Sequence, residues 1–114
     1  MNQDRLPAAV EASALVRRAE AGGDFAAIIK KGDPDRGALL LLVSSRGRHV
    51  ACLERRLGQT GDYIWEAVGP TESAESPEVA DFLAKRARFD ADFWAIELDV
   101  ADSERFIAET ISAG

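Results

Sequence analysis

His49 and Cys52 are the pair in this sequence that most resembles a base and a nucleophile, because an imidazole beside a thiol is the usual way a cysteine is activated. Both fall in Arg48–Arg56, a run that reads as a β-strand of mixed polarity, and on a regular strand residues three apart point to opposite faces. The spacing therefore predicts that the two side chains do not meet. Cys52 should face inward with Val50 as a small hydrophobe, and His49 should face solvent. Asp33-x-Asp35-x-Gly37 has the opening spacing of a calcium loop. An EF-hand loop counted from Asp33, however, needs a bidentate glutamate where Ser44 stands and a glycine where Ala38 stands. A turn explains the segment better. Pro34 suits the second position of a type I turn, Asp33 can accept a backbone hydrogen bond two residues on, and Gly37 is free to take a left-handed conformation.

The acidic residues Asp90, Asp92, Glu97, Asp99 and Asp102 could supply paired carboxylates for acid/base or metal chemistry. Their positions give simpler roles: Asp90 and Asp92 at a helix end, Glu97 and Asp99 on the solvent face of a strand, and Asp102 as a helix cap. Gly58-Gln-Thr-Gly61 opens no helix and cannot cradle a pyrophosphate. These readings give no catalytic residue, no metal site and no cofactor, so an enzyme has little support. The residues that could bind are Arg46, Arg48, Arg55 and Arg56, with Lys30 and Lys31 on another strand, as a basic patch for phosphate or an acidic partner. The same arginines would also serve as solvated charges that keep a sheet edge from aggregating. Tyr63 and Trp65 share a strand face with Ala67 and would form a binding surface if exposed, whereas core packing is the ordinary role of such a pair.

The elements that must hold these residues follow from pattern and punctuation. A helix is predicted from about Pro7 to Ala21, stopped by Gly22-Gly23, with a first strand over Phe25–Lys31. The turn Gly32–Gly37 then leads to Ala38–Val43, apolar at every position, which must be a central strand covered on both faces by helices or by a second copy. Arg48–Arg56 and Asp62–Val68 complete an apparent meander of four antiparallel strands. Ser76-Pro-Glu-Val starts a second helix with Ser76 as its cap, ending near Phe89-Asp90. Phe93–Val100 alternates as a fifth strand, pairing with the first or the fourth, and a last helix begins at Asp102 or Ser103 with Phe106, Ile107 and Ile111 at helical spacing. The expected fold is a single α+β domain over residues 1–114. Its antiparallel sheet has about five strands, four in a meander plus one, packed with three helices in the order α-β-β-β-β-α-β-α.

Ser13-Ala-Leu-Val-Arg-Arg-Ala-Glu20, Lys31-Gly-Asp-Pro-Asp-Arg-Gly37, Leu53-Glu-Arg-Arg-Leu57 and Arg88-Phe-Asp-Ala-Asp-Phe-Trp-Ala-Ile-Glu-Leu98 together resemble one family. It is the alphaproteobacterial domain-of-unknown-function family 1491, and the resemblance runs from about Ser13 to Glu109. It implies a bacterial cytosolic origin and carries no activity, substrate or catalytic residue with it.

Bulk properties agree with a cytoplasmic protein. One cysteine in 114 residues allows no internal disulfide, and no stretch has the form of a signal peptide or a membrane span. The net charge of −6 is uneven. Residues 1–56 carry ten Lys/Arg against seven Asp/Glu, and residues 57–114 carry four against thirteen, so the halves stand at +3 and −9. A sequence pI near 4.8 argues against nucleic acid as a partner without excluding a local basic face. Halves of opposite sign leave protein contacts, including self-association into a homodimer, as the expected mode of action. The sequence thus points to a non-catalytic protein-binding or adaptor module, with a small anion- or nucleic-acid-binding protein as the alternative.

Overall fold

Five consecutive buried residues, Leu39–Val43, can be satisfied only where a strand has neighbours on both sides and cover on both faces. In the computed structural model, which describes residues 6–72 and 74–113 with side-chain surroundings to residue 109, they occupy the middle of a five-stranded sheet. The elements are α1 (Ala8–Ala21), β1 (Phe25–Lys30), β2 (Leu39–Ser45), β3 (Arg48–Leu57), β4 (Tyr63–Val68), α2 (Ser76–Phe89), β5 (Trp94–Asp99) and α3 (Ser103–Ala113). Ile111 lies outside the residues whose side chains are described.

The sheet order is β1-β5-β2-β3-β4. This confirms the α+β class, the element order and the central place of β2, but it corrects the expected pairing. β5 enters between β1 and β2, antiparallel to the first and parallel to the second, so the sheet is mixed and the meander is three strands long. β1 and β2 run in opposite directions as a hairpin's strands would, yet they share no ladder. Reversing direction twice from β2 to β4 leaves β4 parallel to β5, so β4-α2-β5 is a crossover unit that lays α2 across the sheet.

Alternation along β2 and β5 divides the core in two. Leu39, Leu41, Val43, Ile96 and Leu98 face α1 and α3, joined by Leu53, Trp65 and Trp94. Leu40, Leu42, Cys52, Phe93 and Ala95 face α2, which contributes Val79, Phe82, Leu83 and Ala87. The coverage is unequal. α1 lies over β1 and β5, and α3 over β2 and β4, whereas α2 alone serves the opposite face and has no fully buried residue.

Two turns depart from expectation. Gly37 is not in the left-handed region; what requires glycine there is proximity, because a Cβ would lie 2.3 Å from Asp92 O and 2.7 Å from Trp94 Cδ1. The turn is otherwise as predicted, with Asp33 Oδ1 accepting from Asp35 N at 3.0 Å, and Trp94 Nε1 ties it to β5 by donating to Asp33 O at 2.8 Å. At the start of α2, Glu75 rather than Ser76 is the capping position, and no side chain caps it. Asp102 does cap α3, accepting from Arg105 N at 3.1 Å.

Candidate functional site

His49 and Cys52 lie on one face of the sheet, against the prediction from regular alternation. Leu42 pairs with Cys52 and Ser44 with His49, and a register shift between Val43 and Ser44 accommodates one extra residue on β3. A bulge of this kind turns every later side chain to the other face. His49 is accordingly 9% exposed rather than on the surface, and its Nε2 lies 3.0 Å from Pro70 O, holding the segment after β4. Cys52 is 1% exposed, and burial, reinforced by the charge of Glu54 and opposed by Arg86, pushes its thiol up to about 12 from an ordinary 9.0. Such a thiol stays protonated and is a poor nucleophile at neutral pH. Among the described residues no group of three or more His, Cys, Asp and Glu is placed to hold a metal ion.

The six candidate binding residues separate into two sets. Arg46, at φ 53° in the β2–β3 turn, and Arg48 lie at one end of β3, and Arg55 and Arg56 at the other. Seven residues of strand put about 23 Å between Arg48 and Arg55. Arg56 pairs with Glu66 across the β3–β4 ladder. Arg55 pairs with Glu11 of α1, and its guanidinium lies 5.4 Å from the Tyr63 ring centre and 5.6 Å from that of Trp65. The structure therefore gathers Arg55, Tyr63 and Trp65 into one cluster, with Trp65 buried, and the cluster fastens α1 to the β3–β4 edge. Lys30 donates from Nζ to Ala91 O at 2.6 Å and Phe93 O at 2.9 Å.

The surface that stands out was not singled out by the sequence. On the α2 side, the described residues leave the sheet bare over β1 and the adjoining part of β5. Phe25 and Asp99, then Ala27 and Glu97, are paired positions on this face, and alternation places Ile29 on it as well, before the register shift that pairs Lys30 with Ala95. Phe25 is 57% and Ile29 48% exposed. A groove of about 700 Å³ runs from Ile29 past Glu97, Leu42 and Ser44 to the α2 residues Val79 and Ala80. Asp99 is used internally, its two oxygens accepting from Arg46 N at 2.9 Å and Gly47 N at 2.8 Å. Glu97 is half-buried, and among the described residues it has no hydrogen bond or ion pair. One signal was available beforehand: β1, like β2, is apolar on both faces, with Ala26 and Ile28 on one and Phe25, Ala27 and Ile29 on the other.

A mixed five-stranded sheet with two helices on one face and one on the other defines a small three-layer α+β fold. The chain belongs to the family described as "Protein of unknown function (DUF1491)", whose model matches residues 6–108. Among similar solved structures is the crystal structure of a DUF1491 family protein from Caulobacter crescentus CB15, at 31% identity over 87% of this chain and 92% of that one, with a TM-score of 0.74. The NMR structure of a DUF1491 family protein from the same organism gives 31% identity, 86% and 88% coverage and a TM-score of 0.72. The solution structure of Atu0922 from A. tumefaciens gives 29%, 87% and 89%, and 0.73. No curated protein matches this chain. No helix among the described residues is long and apolar enough to cross a membrane.

Proposed function

We propose that this chain is a non-catalytic protein-binding module whose docking face is the bare half of the sheet beside α2. The observation that carries the reading is the exposure of Phe25 and Ile29 on a sheet face whose other half is packed under a helix. Contiguous apolar surface of this kind, rimmed by polar groups, is characteristic of interaction sites. The reactive groups offer no competing reading, since the thiol of Cys52 is buried and His49 is engaged with Pro70. The alternative of an anion-binding patch has less support, because Arg46 and Arg48 stand about 23 Å from Arg55 and Arg56, and both members of the second pair are neutralised by glutamates.

The test is photo-crosslinking from a benzoylphenylalanine placed at Ile29, with Gln59 in the β3–β4 loop as control. A discrete protein adduct from position 29, absent from position 59 and lost when Phe25→Asp is added, is expected. Equal labelling from both positions, or none, overturns the reading.

A further inference from the structure

We infer that the bare half of the sheet receives an amphipathic helix from a partner protein, laying its apolar face on Phe25, Ala27 and Ile29 and placing one lysine or arginine against Glu97. The inference rests on the protein-binding reading above and specifies the partner's chemistry.

Size comes first. Four inter-strand spacings of about 4.8 Å make the sheet about 19 Å wide between its outer strands, and a helix is about 10 Å across, so each face has room for two helices. α1 and α3 fill one face, and α2 fills half of the other. The remaining space is one helix wide, and β1, at six residues, is about as long as a helix of three to four turns.

The wall of that space is shaped for a helix. Ala80 lines the groove, and at 100° per residue Ala84 and Ala87 fall within about 40° of it around α2, while Glu78, Asp81, Lys85 and Arg88 fall on the flank beside Gly69–Thr71. Small side chains let a neighbouring helix approach to the 8–10 Å typical of helix packing, whereas the charged flank does not.

Charge selects the occupant. Glu97 is a half-buried carboxylate flanked across the two ladders by Ala27 and Leu42, in a groove that Arg48 and His49 also line, and covering it with an apolar side chain alone would strand an unpaired charge. A basic residue within the apolar stripe of the incoming helix satisfies it; an acidic one is repelled. A second copy of the chain does not supply such a helix. The apolar faces of α1, α2 and α3 are already spent on the chain's own sheet among the described residues.

The experiment pans the full chain against a phage-displayed library of amphipathic helices of about sixteen residues, with apolar positions fixed at i, i+3, i+4 and i+7 and one central stripe position randomised. Selected peptides are synthesised, and their binding is measured by fluorescence anisotropy. Lysine or arginine should dominate the central position. Replacing that residue by glutamine should weaken binding about fivefold on the wild-type chain and less than twofold on Glu97→Gln. Ala84→Arg, an exposed change that leaves the thermal melt in place, should weaken binding at least tenfold by filling the wall. Recovery of no binders, of binders without a basic preference, or of binders indifferent to both variants overturns the inference. If the library fails while position 29 still crosslinks a protein, the helix is wrong and the docking face stands; if both fail, both fall. An adduct made only of a second copy overturns the separate partner.

Discussion

Arg86 is the residue on which the seating of α2 depends, and its removal gives the sharpest test of the packing. No residue of α2 is fully buried, yet Arg86 reaches down from it to clasp Glu54 of β3 through two bonds, Nη1 to Oε1 at 3.0 Å and Nη2 to Oε2 at 2.8 Å. The guanidinium lies 5.6 Å from the Phe93 ring centre and has Asp90 at 3.5 Å. Side-chain exposures of 21% for Arg86 and 18% for Glu54 place the pair between a surface bridge, worth at most ~1 kcal/mol, and a buried one, whose breaking costs ~3–5 kcal/mol. Arg86→Ala should therefore cost about 2 kcal/mol. With an unfolding entropy of about 2.1 cal/mol/K per residue, the 114-residue chain loses about 8 °C in Tm. Arg86→Lys keeps the charge but not the fork and should lose about half as much. Hydrogen bonding to Glu54 raises the pKa of Arg86 above its ordinary value. The stabilisation is thus fully present wherever an unfolded arginine is still protonated and lost only at more alkaline pH, so the deficit in Tm should be the same at pH 6 and pH 9. Calorimetry checks the shift, and amide exchange should show α2 opening before β2. An Arg86→Ala protein melting within about 2 °C of wild type, or a lysine variant as weak as the alanine, would refute the reasoning.

Cys52 gives an alkaline signature: the unfolded thiol ionises near 9.0, while the folded one holds its proton to about 12, so stability is full below pH 9 and falls as pH rises toward 12. Urea melts should show wild type losing about 1.4 kcal/mol by pH 10 from this group alone, and Cys52→Ala should lack that component; equal slopes for the two would exclude it. Gly37→Ala forces a methyl group into Asp92 O and the Trp94 ring, so a Tm loss of about 8 °C or more is expected, with a changed near-ultraviolet Trp94 signal. An unchanged melt would mean that the turn can move aside.

Local signals carried most of the elements. Pro7 and Gly22-Gly23 bracket α1, Pro77 and Asp90 bracket α2, and the unbroken apolar run of β2 announced its central place. Pairing was less legible. Nothing within Phe25–Val43 reveals that β5 will separate β1 from β2, because that arrangement depends on the parallel match of Leu39–Ser44 with Trp94–Asp99, about fifty residues away. The face of His49 was lost for a smaller reason: one bulged residue on β3 inverts the parity on which strand reasoning rests. The cluster of Arg55, Tyr63 and Trp65 could be anticipated from the alternation of β3 and β4, but its partner Glu11 could not. The bare face was half visible. The two-sided apolar pattern of β1 called for two covers, and only the folded chain shows that the described residues supply one of them.

The insertion of β5 between β1 and β2 also fixes when this protein can fold as it is made. β1 emerges from the ribosome early, but its one neighbour in the sheet, β5, cannot be in place until Trp94–Asp99 has followed. Until then β1 has α1 to lean on and no strand to pair with, while β2, β3 and β4 can already form their meander. A nascent chain stalled before Trp94 should therefore hold a three-stranded sheet with one edge of β2 exposed. Final assembly then consists of a single strand entering a slot between two waiting ones, late in synthesis and over a long loop.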